Sequence, residues 1–308
     1  MKKTDLLIIG AGPAGCSAAI YAVRAGLKTI IAGGAMPGGQ LLQTNDIENY
    51  AGFVNPVGGY ELMDNMLKQC KRLGVEITTD QIVKLSGTKT PFTATAAGGE
   101  TYEATAVVIA VGASARWLGA PGEDKLRGHG VSACATCDGF FFKGKNVVVV
   151  GGGNTAFEDA LFLSKICPSV TLVHRREGFR ADAVTVEKVK NTPNIKMKLN
   201  CVVDEVLGDG KVTGARLKNV QTGAIEEIAC DGIFVAVGAV PQTGWLKDSP
   251  VELDGAGLVK VNYKQATNID GIFAAGDCTE PEFRQASIAA GTGAKAGISA
   301  AAFVNLHK

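Results

Sequence analysis

The chain has 308 residues, with 46% apolar residues and 6% aromatics, which is long enough for two domains that each bury a core. Its 31 Lys and Arg balance 30 Asp and Glu to a formal charge of +1, with no basic or acidic block, so the electrostatic footprint of a nucleic-acid or anionic-membrane binder is missing. The 40 glycines exceed ordinary usage of about 7%, but with 10 prolines and no G-x-y period they mark tight turns in an α/β protein, not collagen or low complexity.

The first element is Leu6 to Val23, an uncharged run of 18 residues behind Lys2 and Lys3. By composition alone it passes for a signal peptide or a short membrane span. Asp5 interrupts the basic start, and Gly10, Gly12, Pro13 and Gly15 would break a spanning helix. The run divides instead into a strand at Leu6 to Ile9, a turn Gly10-Ala11-Gly12-Pro13-Ala14-Gly15, and a helix through Val23. That is a GxGxxG turn in its proper setting, where backbone N–H groups and a helix start can approach a pyrophosphate. The expectation is a protein without a membrane segment, in the cytoplasm.

The next strand ends at Ile30-Ile31-Ala32-Gly33-Gly34, which offers neither an acid for a ribose nor an arginine for a phosphate. Val107 to Ala113, VVIAVGA, reads as the last buried strand of this unit, and Ala110 and Gly112 fall at its end. Cys134-Ala-Thr-Cys137-Asp138 then precedes a second strand, Asn146 to Val150. The plan repeats there with Gly151-Gly-Gly153-Asn154-Thr155-Ala156, the GxGxxA variant, and a helix ending near Ser164. A single such turn is weak; two, each between a buried strand and a helix, make a strong signal. Val170 to Val173 leads into His174-Arg175-Arg176-Glu177, with Arg180 following. Cations stand where an NAD site wants a carboxylate, and arginine suits bidentate phosphate binding, so this end selects the 2′-phosphate of NADPH. The alternative is a solvated basic turn.

Ile233 to Ala239, IFVAVGA, closes the second unit and includes Gly238. A further apolar strand runs into Asp277, followed by Arg284-Gln285-Ala286 at the head of a helix through Ala296. A carboxylate can take ribityl or ribose hydroxyls, and a helix start can stabilise charge on a reduced flavin ring, which makes FAD the better fit for the first unit. A plain turn and cap is the alternative for Gly276-Asp277. The C-terminal remainder is too short for its own core, so it is expected to return to the first domain. The fold class is therefore α/β with two Rossmann-like, three-layer dinucleotide-binding domains, the NADPH domain of residues 116–243 inserted into an FAD domain of residues 1–115 and 244–308. Crossing strands near Gly112 to Arg116 and Gly238 to Trp245 would join them.

Of 8 cysteines, only Cys134 and Cys137 form a CxxC. A zinc site needs four ligands, and neither a second CxxC nor a histidine cluster supplies them, so no metal is expected. In a reducing compartment the pair suits two-electron thiol exchange, with Asp138 beside it as acid and base, or as a simple Asp-Gly turn. The other six cysteines read as small buried residues. NADPH, FAD and a dithiol make a complete electron path, but reacting atoms must come within about 3.5 Å, and NADPH and dithiol share one domain. Rotation of the inserted domain on its two connecting strands is the expected solution.

The chain resembles the low-molecular-weight thioredoxin reductases of bacteria, in the pyridine nucleotide-disulfide oxidoreductase family. The residues that carry the resemblance are GAGPAG, MPGGQL, IENYAG, GASARWLG, GVSACATCDGFF, GGGNTA, HRREGFR and GDCTEPEFRQASIAAGTG, spread over nearly the whole length. It implies a homodimer with one FAD per subunit and thioredoxin as the protein substrate. It further implies that Cys137 lies nearest the flavin, that Cys134 attacks thioredoxin, and that Asp138 is the acid-base group. Gly33, Gly34, Gly39, Gln40 and Asn49 match positions around the flavin, with Asp277, Arg284, Gln285 and Ala286 at its ribityl and ring end. No cysteine pair stands in residues 33–60, which places the chain in the small class. GAVPQTG at 238–244 and Cys278 depart from the usual pattern. The rival readings are a reductase of the same fold serving another thioredoxin- or glutaredoxin-like acceptor, and a non-catalytic NADPH-binding redox sensor.

Overall fold

A computed structural model describes residues 1–43 and 46–307. Two compact units divide the chain, Met1–Ser114 with Val240–Lys308, and Ala115–Ala239. In chain order the elements begin β1 (Lys2–Ile9), α1 (Pro13–Arg24), β2 (Thr29–Ala32), α2 (Gly59–Arg72), β3 (Glu76–Thr78), β4 (Ile82–Ser86), β5 (Phe92–Ala96), β6 (Thr101–Ile109) and β7 (Ala113–Ala115). They continue with α3 (Ala135–Asp138), β8 (Asn146–Val150), α4 (Asn154–Ser164), β9 (Ser169–His174), α5 (Ala183–Lys190), β10 (Ile195–Leu199), β11 (Cys201–Gly208), β12 (Val212–Asn219), β13 (Ile225–Ala229) and β14 (Gly232–Val235). The last are β15 (Ala239–Pro241), β16 (Ile272–Ala274) and α6 (Ala286–His307). The two passages between the units, β7 and β15, pair with each other.

The first unit is built on β1, whose Leu6, Leu7, Ile8 and Ile9 are all buried. A continuous apolar run is what a central parallel strand covered on both faces requires. Leu6 and Ile8 face one core with α1, α2 and α6, while Leu7 and Ile9 face another with the β4–β5 hairpin and the segment around Leu246 to Val259. Each such side chain contributes roughly 1.5–3 kcal/mol on burial. β1 lies between β2 and β6, parallel to both, and β3 extends the sheet beyond β2. The other edge of β6 is shared. Its first half pairs antiparallel with β5, from Thr101 to Ala104, and its second half pairs parallel with β16, from Val107 to Ile109. In this way a strand from residues 272–274 joins a sheet begun at residue 2.

Helix α1 opens with Pro13 at a position that has no use for an N–H, and it is rich in alanine for a packing reason. A Cβ on Gly293 would come within 2.1 Å of the Ala14 carbonyl, and one on Gly297 within 2.4 Å of the Ala18 carbonyl. Helices α1 and α6 thus cross almost backbone to backbone, and only small residues at four-residue spacing permit it.

The second unit repeats the scheme. Val131–Ser132, β14, β8, β9 and β10 form a five-stranded parallel sheet in that order. The four valines of β8 alternate between the two faces. Val147 and Val149 pack under α4 and α5, and Val148 and Val150 pack under the antiparallel sheet of β11, β12 and β13. Both units are three-layer α/β structures of the dinucleotide-binding kind. No helix among the described residues is long and apolar enough to cross a membrane.

Candidate functional site

In each unit the glycine turn follows the central strand, and its three key positions meet three different surroundings. In the first, Gly10 has φ +112° and a Cβ there would sit 2.2 Å from the Ala110 carbonyl. A Cβ on Gly15 would meet the Gly10 carbonyl at 2.0 Å, so helix and strand touch. Between them Gly12 faces open space. The second turn repeats this. Gly151 is closed by the Ala236 carbonyl at 2.4 Å, Ala156 is fully buried, and Gly153 is open. A closed first position shapes the turn, a small third position seats the helix, and an open middle one lets a pyrophosphate reach backbone N–H groups.

Around Gly12 the first unit gathers residues distant in sequence. Gly39, at φ +66° and the head of a 3₁₀ turn shared with Gln40, brings a Cβ position to 3.8 Å from the Gly12 Cα. Pro13 and Ala14 form the first turn of α1, and a Cβ on Gly276 would stand 2.9 Å from the Ala14 Cβ, so the Gly276-Asp277 turn lies against that helix. The Thr292 hydroxyl accepts the Gly276 N–H at 3.0 Å. Asn49 Nδ2 donates to Gln285 Oε1 at 3.1 Å across 236 residues of sequence, next to Ala286 where α6 begins. Gly33 and Gly34 commit their N–H groups to the carbonyls of Thr78 and Asp80, and Gly112, at φ +68°, accepts from the Gln242 N–H. Burial pushes the Asp277 carboxyl up to about 6, with the nearby Arg284 guanidinium opposing. Arg284 Nε is itself buried with no partner among the described residues. An orphaned guanidinium nitrogen, a buried carboxyl and an open glycine cradle fit a flavin dinucleotide.

The second unit places its cations on the segment after β9. The His174 ring lies over Gly152, whose Cβ would come 2.1 Å from it, and Nε2 pairs with the Gly178 carbonyl at 3.1 Å. Burial first, then Arg175, Arg176 and Arg180, hold the imidazole below its ordinary value, so it is neutral at pH 7. The three arginines are exposed, and none is ion-paired among the described residues. The Arg180 N–H donates to the Gly152 carbonyl at 2.8 Å, which sets this cationic edge beside the glycine turn. Thr155 is exposed in the first turn of α4, and Gly238, at φ +106°, accepts from the Arg116 N–H. The Asn154 side chain is bonded to Asp182 at both of its polar atoms. An open glycine and unpaired arginines in one place fit a phosphorylated nucleotide.

Cys134 and Cys137 form a disulfide across the one-turn helix α3, with Cα atoms 5.3 Å apart. The Cys134 N–H donates to Ser132 Oγ at 3.0 Å, and Cys134 Sγ stands 3.5 Å from Thr136 Oγ1. Helix α3 can sit on α4 because Gly139 has no side chain: a Cβ there would meet Phe162 at 2.8 Å. Burial pushes the Asp138 carboxyl above its usual range, partly offset by Ser132, which suits a group that holds a proton beside two thiols. The remaining cysteines are free and, but for the half-buried Cys201, buried. Burial drives the Cys278 thiol up to about 11.

Three features escape a reading of the sequence. Phe140 and Phe141, beside the disulfide, are 59% and 39% exposed, while Phe142 packs edge-on against Phe234. An aromatic triplet in a chain with so few aromatics was the available signal. Thr292 and Asp182 carry no signal at all, because only the fold brings them to Gly276 and Asn154.

A family profile for pyridine nucleotide-disulphide oxidoreductases matches residues 4–293. The thioredoxin reductase of Rickettsia conorii is 46% identical over 305 residues, covering 98% of each chain, and that of Mycolicibacterium smegmatis is 45% identical over 299 residues, covering 96% of this chain and 95% of that one. Among solved structures, a thioredoxin reductase from Giardia duodenalis superposes with a TM-score of 0.93 at 40% identity over 99% of this chain and 100% of its own. One from Streptococcus pyogenes gives 0.92 at 37% over 99% of each. With matches of this extent added to two glycine cradles and a CxxC disulfide, the chain belongs to the pyridine nucleotide-disulphide oxidoreductase family.

Proposed function

We propose that the chain is an NADPH-dependent thioredoxin reductase, a cytoplasmic homodimer with FAD in the first unit and NADPH and the redox-active disulfide in the second. The observation that carries this reading is the Cys134–Cys137 disulfide, set in one compact unit with an open glycine turn and three unpaired arginines. The near full-length likeness to proteins named thioredoxin reductase supports the choice of substrate.

Gly151, Gly153 and the head of α4 with Asn154 and Thr155 take the pyrophosphate of NADPH in this reading. Arg175, Arg176 and Arg180 take its 2′-phosphate, and the neutral His174 braces their segment. Gly10, Gly12, Gly15, Gly39 and Gln40 hold the flavin nucleotide, and Asp277, Arg284, Gln285 and Asn49 hold its ribityl and ring end. FAD, when bound, supplies the two-electron relay between a hydride donor and a disulfide. Once the Cys134–Cys137 bond is reduced, the Cys134 thiolate attacks the thioredoxin disulfide and releases one of its thiols. Cys137 then attacks the mixed disulfide, restores the Cys134–Cys137 bond and expels the second thiol. Asp138 takes the proton from the attacking thiol and returns it to the departing one. The exposed Phe140 and Phe141 offer the incoming protein an apolar surface beside the reacting sulfurs. Rotation of the second unit on β7 and β15 lets dithiol and nicotinamide be served in turn, so a cross-link between the units halts turnover.

An anaerobic visible-absorption titration tests the reading. Yellow protein that bleaches with NADPH far more readily than with NADH, and recovers colour on adding oxidised thioredoxin, is the expected result. Bleaching without recovery moves the substrate to another disulfide protein, and a colourless protein that FAD does not reconstitute overturns the reading.

A further inference from the structure

Asp182 precedes α5 as its N-cap, with extended backbone, yet its side chain makes no bond to that helix. Asp is among the best capping residues, worth about 1 kcal/mol at such a position. Its carboxylate turns instead to the head of α4. Asn154 Nδ2 donates to Asp182 Oδ2 at 3.0 Å, and the Asp182 N–H donates to Asn154 Oδ1 at 2.8 Å. The two bonds close a ring that engages both polar atoms of the amide and fixes the Asn154 side chain against Asp182.

Arg175, Arg176 and Arg180 all lie between β9 and this ring. The segment is also tied down by the Arg180 N–H to the Gly152 carbonyl, by His174 Nε2 to the Gly178 carbonyl, by Asn200 Nδ2 donating to Glu177 Oε1 at 3.2 Å, and by Phe179, whose ring packs edge-on against Phe157. The bond to Asn154 is the one that ties its far end to the head of α4. Exposed arginines already lose rotamer freedom when they grip a phosphate. A backbone free to move would add to that cost, and a pinned one does not. We propose that Asp182 is a positioning residue for nucleotide selection. Through Asn154 it holds the arginine segment in register with the glycine turn, and so sets the preference for a 2′-phosphate. A carboxylate in contact with phosphate would repel it, so the effect runs through the ring with Asn154. The inference rests on reading this site as the NADPH site.

The test uses the full, flavin-loaded chain, with calorimetric binding of adenosine 2′,5′-bisphosphate and 5′-AMP and steady-state KM for NADPH and NADH. Asp182→Ala should raise the bisphosphate Kd and the NADPH KM by roughly three- to tenfold, while 5′-AMP, NADH and kcat move less than about twofold. Asp182→Ser can cap α5 but is too short to reach Asn154, so it should behave like the alanine variant, and it decides the matter if that variant does not fold. Asp182→Asn, whose amide oxygen accepts the same bond, should stay within about twofold of the unmodified chain. Alanine and serine variants that keep the full 2′-phosphate preference overturn the inference. So does a serine variant that recovers it, because the role would then be helix capping alone. An unmodified chain that binds the bisphosphate no better than 5′-AMP overturns the inference together with the NADPH reading.

Discussion

The two glycine turns share their local chemistry and differ in what surrounds them. Each has a closed first position, an open middle one and a helix seated by a small residue. Around Gly12 the fold gathers a largely buried carboxyl, a guanidinium whose Nε is buried and the Asn49–Gln285 pair from distant parts of the chain. Around Gly153 it sets exposed cations on the segment that follows the next strand. In the proposed reading, a flavin that stays bound is matched by burial and long-range assembly, and a nucleotide that is exchanged at every turnover is matched by an accessible edge of fixed charge. The difference lies in the second layer of residues and not in the fingerprint.

The largest effect expected is at the disulfide. Cys134→Ser or Cys137→Ser should lower thioredoxin reduction by at least about 10³-fold and leave flavin bleaching by NADPH intact. A variant that still reduced thioredoxin would move the reacting pair elsewhere.

The glycines can be used to break the comparison next. Gly10→Ala places a Cβ 2.2 Å from a carbonyl at φ +112°, and should destabilise the first unit by about 3 kcal/mol or more. Gly12→Ala and Gly153→Ala meet open space, so thermal unfolding should shift by less than about 0.5 kcal/mol. Each should weaken only its own nucleotide, flavin retention for Gly12→Ala and NADPH affinity for Gly153→Ala. Loss of both nucleotides from either variant would mean that the turns do not act separately.

Arg175→Gln and Arg176→Gln sharpen the contrast at the exposed edge. Each should cost NADPH about 1.5–3 kcal/mol, roughly a ten- to hundredfold rise in KM, with little change for NADH. An unchanged ratio would place the phosphate site elsewhere.

The smallest effect concerns pH and separates the two sites by titration. Burial raises the Asp277 carboxyl in the folded chain to about 6, above its ordinary 3.8. The folded state therefore binds the extra proton, and the contribution of Asp277 to the stability of the flavin-free chain should fall as pH rises from about 4 to about 6, then level off, alongside the separate contributions of Asp138, Asp159 and His174. Asp277→Asn should remove that part of the slope and leave the chain more stable at pH 7 than the unmodified one. Arg175→Gln should leave the Asp277 contribution in place, because that arginine is not among the groups that shift the Asp277 carboxyl, and should alter only the part carried by His174, whose imidazole it helps to hold down. Urea unfolding across pH 4 to 8 checks both.

Much of the architecture is legible in the residues alone. Leu6 to Ile9 and the valines of β8 announce strands buried on both faces, and a glycine turn before an alanine-rich helix announces the nucleotide-binding kind of unit. These signals are local, since strand period, helix start and turn chemistry depend on near neighbours in sequence. The candidate residues Cys134, Cys137, Arg175 and Arg176 stand out for the same reason, because their side-chain chemistry is visible wherever they lie.

Which groups meet is another matter. That Gly10 is closed depends on Ala110, and that β6 divides its edge between β5 and β16 depends on pairings far along the chain. The same holds for Arg284, whose buried nitrogen is a consequence of packing, and for Asn154, whose amide looks free in the sequence and is engaged by Asp182 in the fold. The sequence by itself determined the elements, the two glycine turns and the kinds of reactive side chain, because short-range sterics and side-chain chemistry act locally. Only the tertiary structure decided which glycines are open, which carboxyls are buried and which side chain engages Asn154. Those depend on contacts between residues whose spacing along the chain carries no record of their distance in space.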